Sequence, residues 1–186
     1  MGDTTIQSTI NDLIKTRTRK VKEAFLTDKA AMDQELDPAL KSASRYTLDL
    51  NYEVKYNQHN WLSIVFYDYV YTGGAHGITN ASSYTFSLTD GKLYGLKDLF
   101  REGTSYVETI NREIKKQIEQ KVQDGELYLL SPFASIDEDQ EFYLTDDALV
   151  IYFQVYEYTP YAAGIPEFSI PMKQLSNMLQ VAVNES

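Results

Sequence analysis

The sequence predicts an α+β fold built mainly on antiparallel sheet with packed helices. Apolar residues recur at three-to-four spacing in two long stretches, and elsewhere they alternate at a period of two. The alternating runs are grouped and joined by tight turns, instead of interleaving one by one with helices, which favours α+β over α/β. At 186 residues and 43% apolar content the chain has enough material for a core of its own, as one domain or as two small interlocked subdomains.

The elements follow in order. Residues 5–25 form a helix whose stripe is Ile6, Ile10, Leu13, Ile14, Val21 and Phe25. The basic run "KTRTRKVK" (residues 15–22) falls between those positions and predicts a solvated helix face. A second helical piece covers residues 28–41, with Pro38 interrupting it or opening a new first turn. From Arg45 the period is two: "YTLDLNYEVKYN" runs to a turn at residues 57–60 and "WLSIVFYDYVY" resumes the alternation, a hairpin. "SSYTFSLTDGKLYGL" repeats the pattern around a tight turn at Asp90 and Gly91. "LKDLF" is one short helical turn.

Ser105 and Glu108 then stand at capping-box spacing, ahead of a helix with the stripe Val107, Ile110, Ile114, Ile118 and Val122 that ends at Asp124 and Gly125. An acidic loop, "SIDEDQEFYLTDD", precedes "ALVIYFQVYEY", read as one strand. A strand there places Leu149, Ile151, Phe153 and Val155 on one face, and Tyr152, Gln154, Tyr156 and Tyr158 on the other. "FSIPMKQLSNML" passes from a strand into a short helix.

Composition excludes several functions. There is no cysteine, so disulfides, thiolate metal sites and a cysteine nucleophile are all absent. The net charge is -10, and beyond the one basic run 12 basic residues face 25 acidic ones, which argues against a nucleic-acid backbone and fits a basic partner or simple solubility better. No apolar run reaches the roughly 18 to 20 residues of a membrane span, and the N-terminus has no signal-peptide core. Met1 and Gly2 ahead of a polar helical pattern have the look of an expression start, which leaves room for a leader or anchor upstream.

Residues that carry chemistry are few. His59 lies at a hairpin tip and reads as a turn residue. His76 lies in "GGAHG", after a strand. The loop lacks the Lys and Ser or Thr of a phosphate cradle, and a lone histidine with scattered carboxylates is a poor zinc site. The favoured reading is structural: Gly73, Gly74 and Gly77 supply backbone shapes closed to other residues, with at least one at positive φ, and the imidazole ties the loop to nearby backbone. The rival reading is a hydrolase in which His76 works with Glu157 or an aspartate and a nucleophile distant in sequence; a structural spacer is a third. The acidic residues Asp137, Glu138, Asp139, Glu141, Asp146 and Asp147 lack the glycine and terminal glutamate of a calcium loop and read as a solvated loop. No metal and no cofactor is expected. Fifteen tyrosines, with Tyr67, Tyr69 and Tyr71 on one side of a strand, serve either as half-buried sheet surface or as recognition anchors.

Two segments carry a resemblance. "YTGGAHG" (residues 71–77), followed by "YTFSLTDGKLYGLKDLF", and "FYLTDDALVIYFQVYEYTPYAAGIPEFSIPMKQL" (residues 142–175) resemble the paired extracytoplasmic domains of the PdaC/RsiV-like family, in order and from Tyr46 to the end. The resemblance implies an N-terminal PdaC-like subdomain at residues 1–95 and a C-terminal RsiV-like subdomain at 96–186, the latter similar to a subdomain of the heat-shock-protein ATPase without its nucleotide site. It implies the ectodomain of a membrane-anchored or cell-surface protein of Gram-positive bacteria, either an anti-sigma factor that senses lysozyme or a companion of a peptidoglycan deacetylase. No deacetylase domain is present, so that activity does not carry over. The function implied is a non-catalytic sensor or binding domain for lysozyme or peptidoglycan fragments. The binding residues it implies are Gly73, Gly74, His76 and Gly77 from the first motif and Tyr156, Glu157, Pro160, Tyr161 and Gly164 from the second. Glu157, at the exposed end of the aromatic strand, is expected to accept hydrogen bonds from the glycine loop's amides.

Overall fold

The computed structural model describes residues 4–37 and 45–183. Helix α1 (Thr4–Glu35) is followed by strands β1 (Thr47–Gln58), β2 (Trp61–Tyr71), β3 (Ile78–Ser87) and β4 (Leu93–Tyr94), which form a four-stranded sheet in that order. A 3-10 turn at Leu96–Leu99 and helix α2 (Tyr106–Gln123) lead to a second sheet of β5 (Phe142–Leu144), β6 (Ala148–Tyr152) and β7 (Glu167–Pro171), antiparallel throughout, and to the single helical turn α3 (Met172–Leu175). The fold is α+β with antiparallel sheet, as the sequence predicts. The chain divides into two compact units: one holds the residues up to Tyr52 together with Phe66–Asn80, and the other holds Glu53–Val65 and the chain from Ala81 on.

In the first unit, α1 is one helix where two pieces are expected. Neither Leu26 nor Thr27 breaks it, and the Thr27 hydroxyl satisfies itself on the Glu23 carbonyl at 3.0 Å. The part of the second predicted piece around Pro38 lies outside the described residues. The inward positions are Ile6, Ile10, Ile14, Arg17, Val21 and Phe25, whereas Leu13 is 39% exposed. Arg17 therefore corrects the solvated reading of the basic run: its side chain is 9% exposed, forms a two-pronged pair with Asp68 of β2 at 3.1 and 2.5 Å, and lies 4.3 Å from the centre of the Phe66 ring. Lys15 and Arg19 on the same run are solvated.

The second unit holds the larger core. It includes the tip of the β1–β2 hairpin, which closes through His59 and Asn60 at φ 50° and 60°, the primed two-residue turn that suits the twist of paired strands. In the second sheet Leu144 faces Leu149 and Leu149 faces Ile170, while Phe142 faces Ile151 and Ile151 faces Phe168. That layer packs with Ile110, Ile114 and Ile118 of α2, spaced by four and buried. Two details of α2 differ from expectation. Val122 is 46% exposed, and Ser105 makes no side-chain cap at its φ of -88° and ψ of 45°, so the capping box does not form. The helix ends as expected at Asp124, with Gly125 at φ 73°.

The long aromatic strand is also corrected. Residues 142–144, placed in the acidic loop, are β5, while β6 stops at Tyr152 and "FQVYEY" leaves the sheet. The two faces hold only within β6, and both are covered, since every residue from Ala148 to Phe153 is buried. As the central strand, β6 has a covered second face as well, where Tyr143 packs against Tyr152 at 6.1 Å and the Lys55 ammonium stands 5.1 Å from the Tyr143 ring.

Side chains complete what strands leave open. β4 reaches only Thr85 and Phe86 of β3. Ahead of these, Gln154 accepts from the Ala81 amide at 3.0 Å and donates to its carbonyl at 2.9 Å. The Glu141 carboxylate accepts from the Ser83 amide (2.8 Å), the Ser83 hydroxyl (2.6 Å) and the Tyr152 hydroxyl (2.9 Å). Ala81 and Ser83 of β3 thus find side-chain partners for their backbone groups beyond the reach of β4.

Candidate binding surface

The glycine-rich loop, in the first unit, leaves β2 after Tyr71, whose hydroxyl donates to the Gly74 carbonyl at 3.0 Å. Gly73 and Gly74 have φ of 104° and 97°, the left-handed half of the backbone map that glycine enters freely, as the sequence predicts. Gly77 is needed for a different reason: a Cβ there would lie 2.5 Å from the Val70 carbonyl oxygen and from the Tyr69 ring. The His76 side chain is exposed, and its Nδ1 lies 2.9 Å from the Gly77 carbonyl. A carbonyl only accepts, so this bond puts the proton on Nδ1 and ties the imidazole to the adjacent backbone.

The second motif, in the second unit, begins where β6 ends. The Phe153 amide donates to Pro166 at 3.2 Å, and the chain turns through Gln154 and Glu157: the Gln154 amide donates to the Glu157 carboxylate at 2.9 Å and the Glu157 amide to the Gln154 carbonyl at 3.2 Å. The Glu157 carboxylate therefore caps its own turn, not the end of a strand. Tyr156 is held at φ 69°, a conformation a bulky residue adopts only when its surroundings impose it. Those surroundings are visible. The Tyr156 amide donates to Thr159, the Leu130 amide donates to Tyr158, and the Tyr158 ring packs edge-on against Phe133 and Phe153 at 5.6 and 4.9 Å. Burial, followed by the nearby Glu157 and Asp137 charges, pushes the Tyr158 phenol up from its ordinary value. Thr159 is fully buried, and its hydroxyl has no partner.

Tyr156 is nevertheless 49% exposed and stacks on Tyr161, with ring centres 5.8 Å apart and planes 26° apart. Pro160 opens the short 3-10 turn that carries Tyr161, and Gly164 ends it at φ 70°, ψ -156°. The structure thus brings Tyr156, Glu157, Pro160, Tyr161 and Gly164 into one loop, while Gly73, Gly74, His76 and Gly77 form another. The loop of the second motif presents the stacked Tyr156 and Tyr161 rings with their hydroxyls, side chains of a kind suited to recognition. Among the described residues, no group of three or more histidine, aspartate or glutamate side chains is arranged to hold a metal ion. Sequence reasoning missed Arg17, Glu141 and Gln154. The signal for Arg17 was present as a gap in the apolar stripe between Ile14 and Val21.

Residues 1–79 match a family model described as deacetylase PdaC, and residues 97–173 match one described as a protein of unknown function, DUF3298. The anti-sigma-V factor RsiV of Bacillus subtilis (strain 168) is 40% identical over 115 residues, covering 54% of this chain and 40% of that protein. The peptidoglycan-N-acetylmuramic acid deacetylase PdaC of the same strain is 22% identical over 175 residues, covering 92% of this chain and 36% of that one. The chain therefore spans well under half the length of either curated relative. A crystal structure of a DUF3298 family member from Bacteroides fragilis superposes with a TM-score of 0.63 at 25% identity, over 92% of this chain and 70% of that one. A second, from Pseudomonas aeruginosa PAO1, gives 0.58 at 19% identity over 76% and 66%, and speaks for the fold alone.

Proposed function

We propose that this chain, which belongs to the PdaC/RsiV-like domain family, is a non-catalytic extracytoplasmic binding module of a cell-envelope protein, and that its ligand is lysozyme. The observation that carries the reading is the Tyr156–Tyr161 pair: an exposed tyrosine on a backbone held in an unfavourable conformation, stacked on a half-buried one. Strain of this kind is retained where geometry is used, and packing alone gives no reason to hold Tyr156 half in solvent in that conformation. Lysozyme is a basic protein and this chain carries a net charge of -10, so long-range attraction favours the encounter. The relative named as an anti-sigma factor supports a sensing role, and the one named as a peptidoglycan deacetylase supports a cell-envelope setting. The two sequence modules are proposed to meet near residue 95, between the segments the two family models match.

Within the second motif the Glu157 carboxylate accepts a hydrogen bond from the Gln154 amide of its own turn, and the Thr159 hydroxyl is buried. Isothermal titration with lysozyme and, separately, with muropeptides tests the reading. Saturable heat with lysozyme, reduced by Tyr161→Ala, is expected. Heat with muropeptides alone would move the ligand to the cell wall, and heat with neither would remove both.

A further inference from the structure

We propose that the surface which receives a basic protein partner extends from the Tyr156–Tyr161 loop onto residues 126–130, where Tyr128 and Leu130 are further apolar anchors among carboxylates. The inference rests on the binding-module reading above and defines how far that module's surface reaches. Between α2 and β5 the chain alternates without forming a strand: Leu127 and Leu129 pack against the core, while Tyr128 is 71% and Leu130 53% exposed. This stretch is held at both ends. The Glu126 and Leu127 amides donate to the Lys121 carbonyl at 2.8 and 3.1 Å, and the Leu130 amide donates to the Tyr158 carbonyl at 2.8 Å. Residues 130 and 158 are thus bonded neighbours, and the exposed Leu130 stands beside the loop that carries Tyr156. A backbone fixed in this way presents its side chains without a further ordering cost on binding.

The charge of the chain is concentrated in the same region. Between Lys121 and Lys173 there is no lysine, arginine or histidine and there are ten aspartates and glutamates, whereas the rest of the chain carries 17 acidic and 17 basic residues. The whole net charge of -10 therefore belongs to the stretch that contains both the segment and the loop. Asp124 and Glu126 are exposed just ahead of Tyr128, and Glu157 is exposed next to Tyr156. Burial first, then the charges of Glu157 and Asp137, raise the Tyr158 phenol, so both carboxylates act on the residue to which Leu130 is bonded. Exposed apolar side chains with a polar, charged surround have the anatomy of an interface, and carboxylates without counter-charges select a cationic partner over a polyanion.

The experiment is calorimetric titration of lysozyme, the basic protein of the reading above, into the intact chain and its variants, each also unfolded in urea. Tyr128→Ala and Leu130→Ser change exposed side chains, so unfolding midpoints close to the wild type are expected, with binding weakened about tenfold or more, as for anchors. Leu93→Ser, on β4 and 38% exposed, is the apolar control and is expected to bind as the wild type does. Glu126→Lys and Glu102→Lys alter net charge equally at exposed positions, and the first is expected to bind about fivefold more weakly than the second. Wild-type binding that Tyr128→Ala and Leu130→Ser leave unchanged, or equal losses at Glu126 and Glu102, overturns this surface and leaves the Tyr156–Tyr161 reading standing. Absence of binding by the wild type overturns that reading and this surface together.

Discussion

Arg17 occupies a position on α1 where an apolar side chain would normally face the sheet, and the cost of burying its charge is offset by Asp68 and the face of Phe66. Removing one partner of such a pair leaves an uncompensated charge away from water, so Asp68→Ala is expected to lower unfolding free energy by about 3–5 kcal/mol in urea titrations. Replacing both partners together, Arg17→Met with Asp68→Leu, should recover most of that loss. Tyr156 makes the opposite case. Tyr156→Gly relieves a left-handed backbone that costs a side-chain-bearing residue about 1–2 kcal/mol, while it deletes the stack on Tyr161. Its midpoint in the same titration should hold or rise, in contrast to Gly77→Ala, where the new Cβ meets the Val70 carbonyl and about 1–3 kcal/mol is lost.

Among the elements, β3 takes side-chain partners for the backbone of Ala81 and Ser83, where β4 does not reach. Glu141→Ala removes one acceptor that serves the Ser83 amide, the Ser83 hydroxyl and Tyr152 together. A loss of about 3 kcal/mol is expected, with faster hydrogen exchange at the Ser83 amide. None of this was legible in the sequence, because Glu141 and Gln154 act on residues 58 and 73 positions away, and no local pattern marks such a pairing. The hairpins, the "LKDLF" turn and α2 were legible because each is set by its own period and turn residues. The end of β6 was not: "LVIYFQVYEY" keeps alternating past Tyr152, and the chain leaves the sheet through the local turn that Glu157 caps and the tertiary bonds of Gln154 to Ala81. In the candidate surface, the glycine conformations could be read from composition alone. The left-handed Tyr156 could not, since tyrosine carries no signal for that conformation.

For the whole molecule, burial raises the phenols of Tyr56, Tyr106 and Tyr158 above 10.0, with further upward pushes from Asp146 on Tyr56, Glu138 on Tyr106 and Glu157 on Tyr158. The unfolded chain then loses these protons first, so the stability they support is intact below pH 10.0 and falls as pH climbs through the raised values. Alkaline unfolding should coincide with the rise of phenolate absorbance. The net charge of -10 sets a second expectation, that affinity for a basic partner declines as salt is added. The most direct measurement of the central claim is a calorimetric titration of lysozyme into the wild type and into Tyr156→Gly, each also unfolded in urea. Saturable binding by the wild type is expected, with a variant at least as stable that binds roughly 30-fold or more weakly, the loss that marks an anchoring residue. Equal affinity in two equally stable proteins would contradict it.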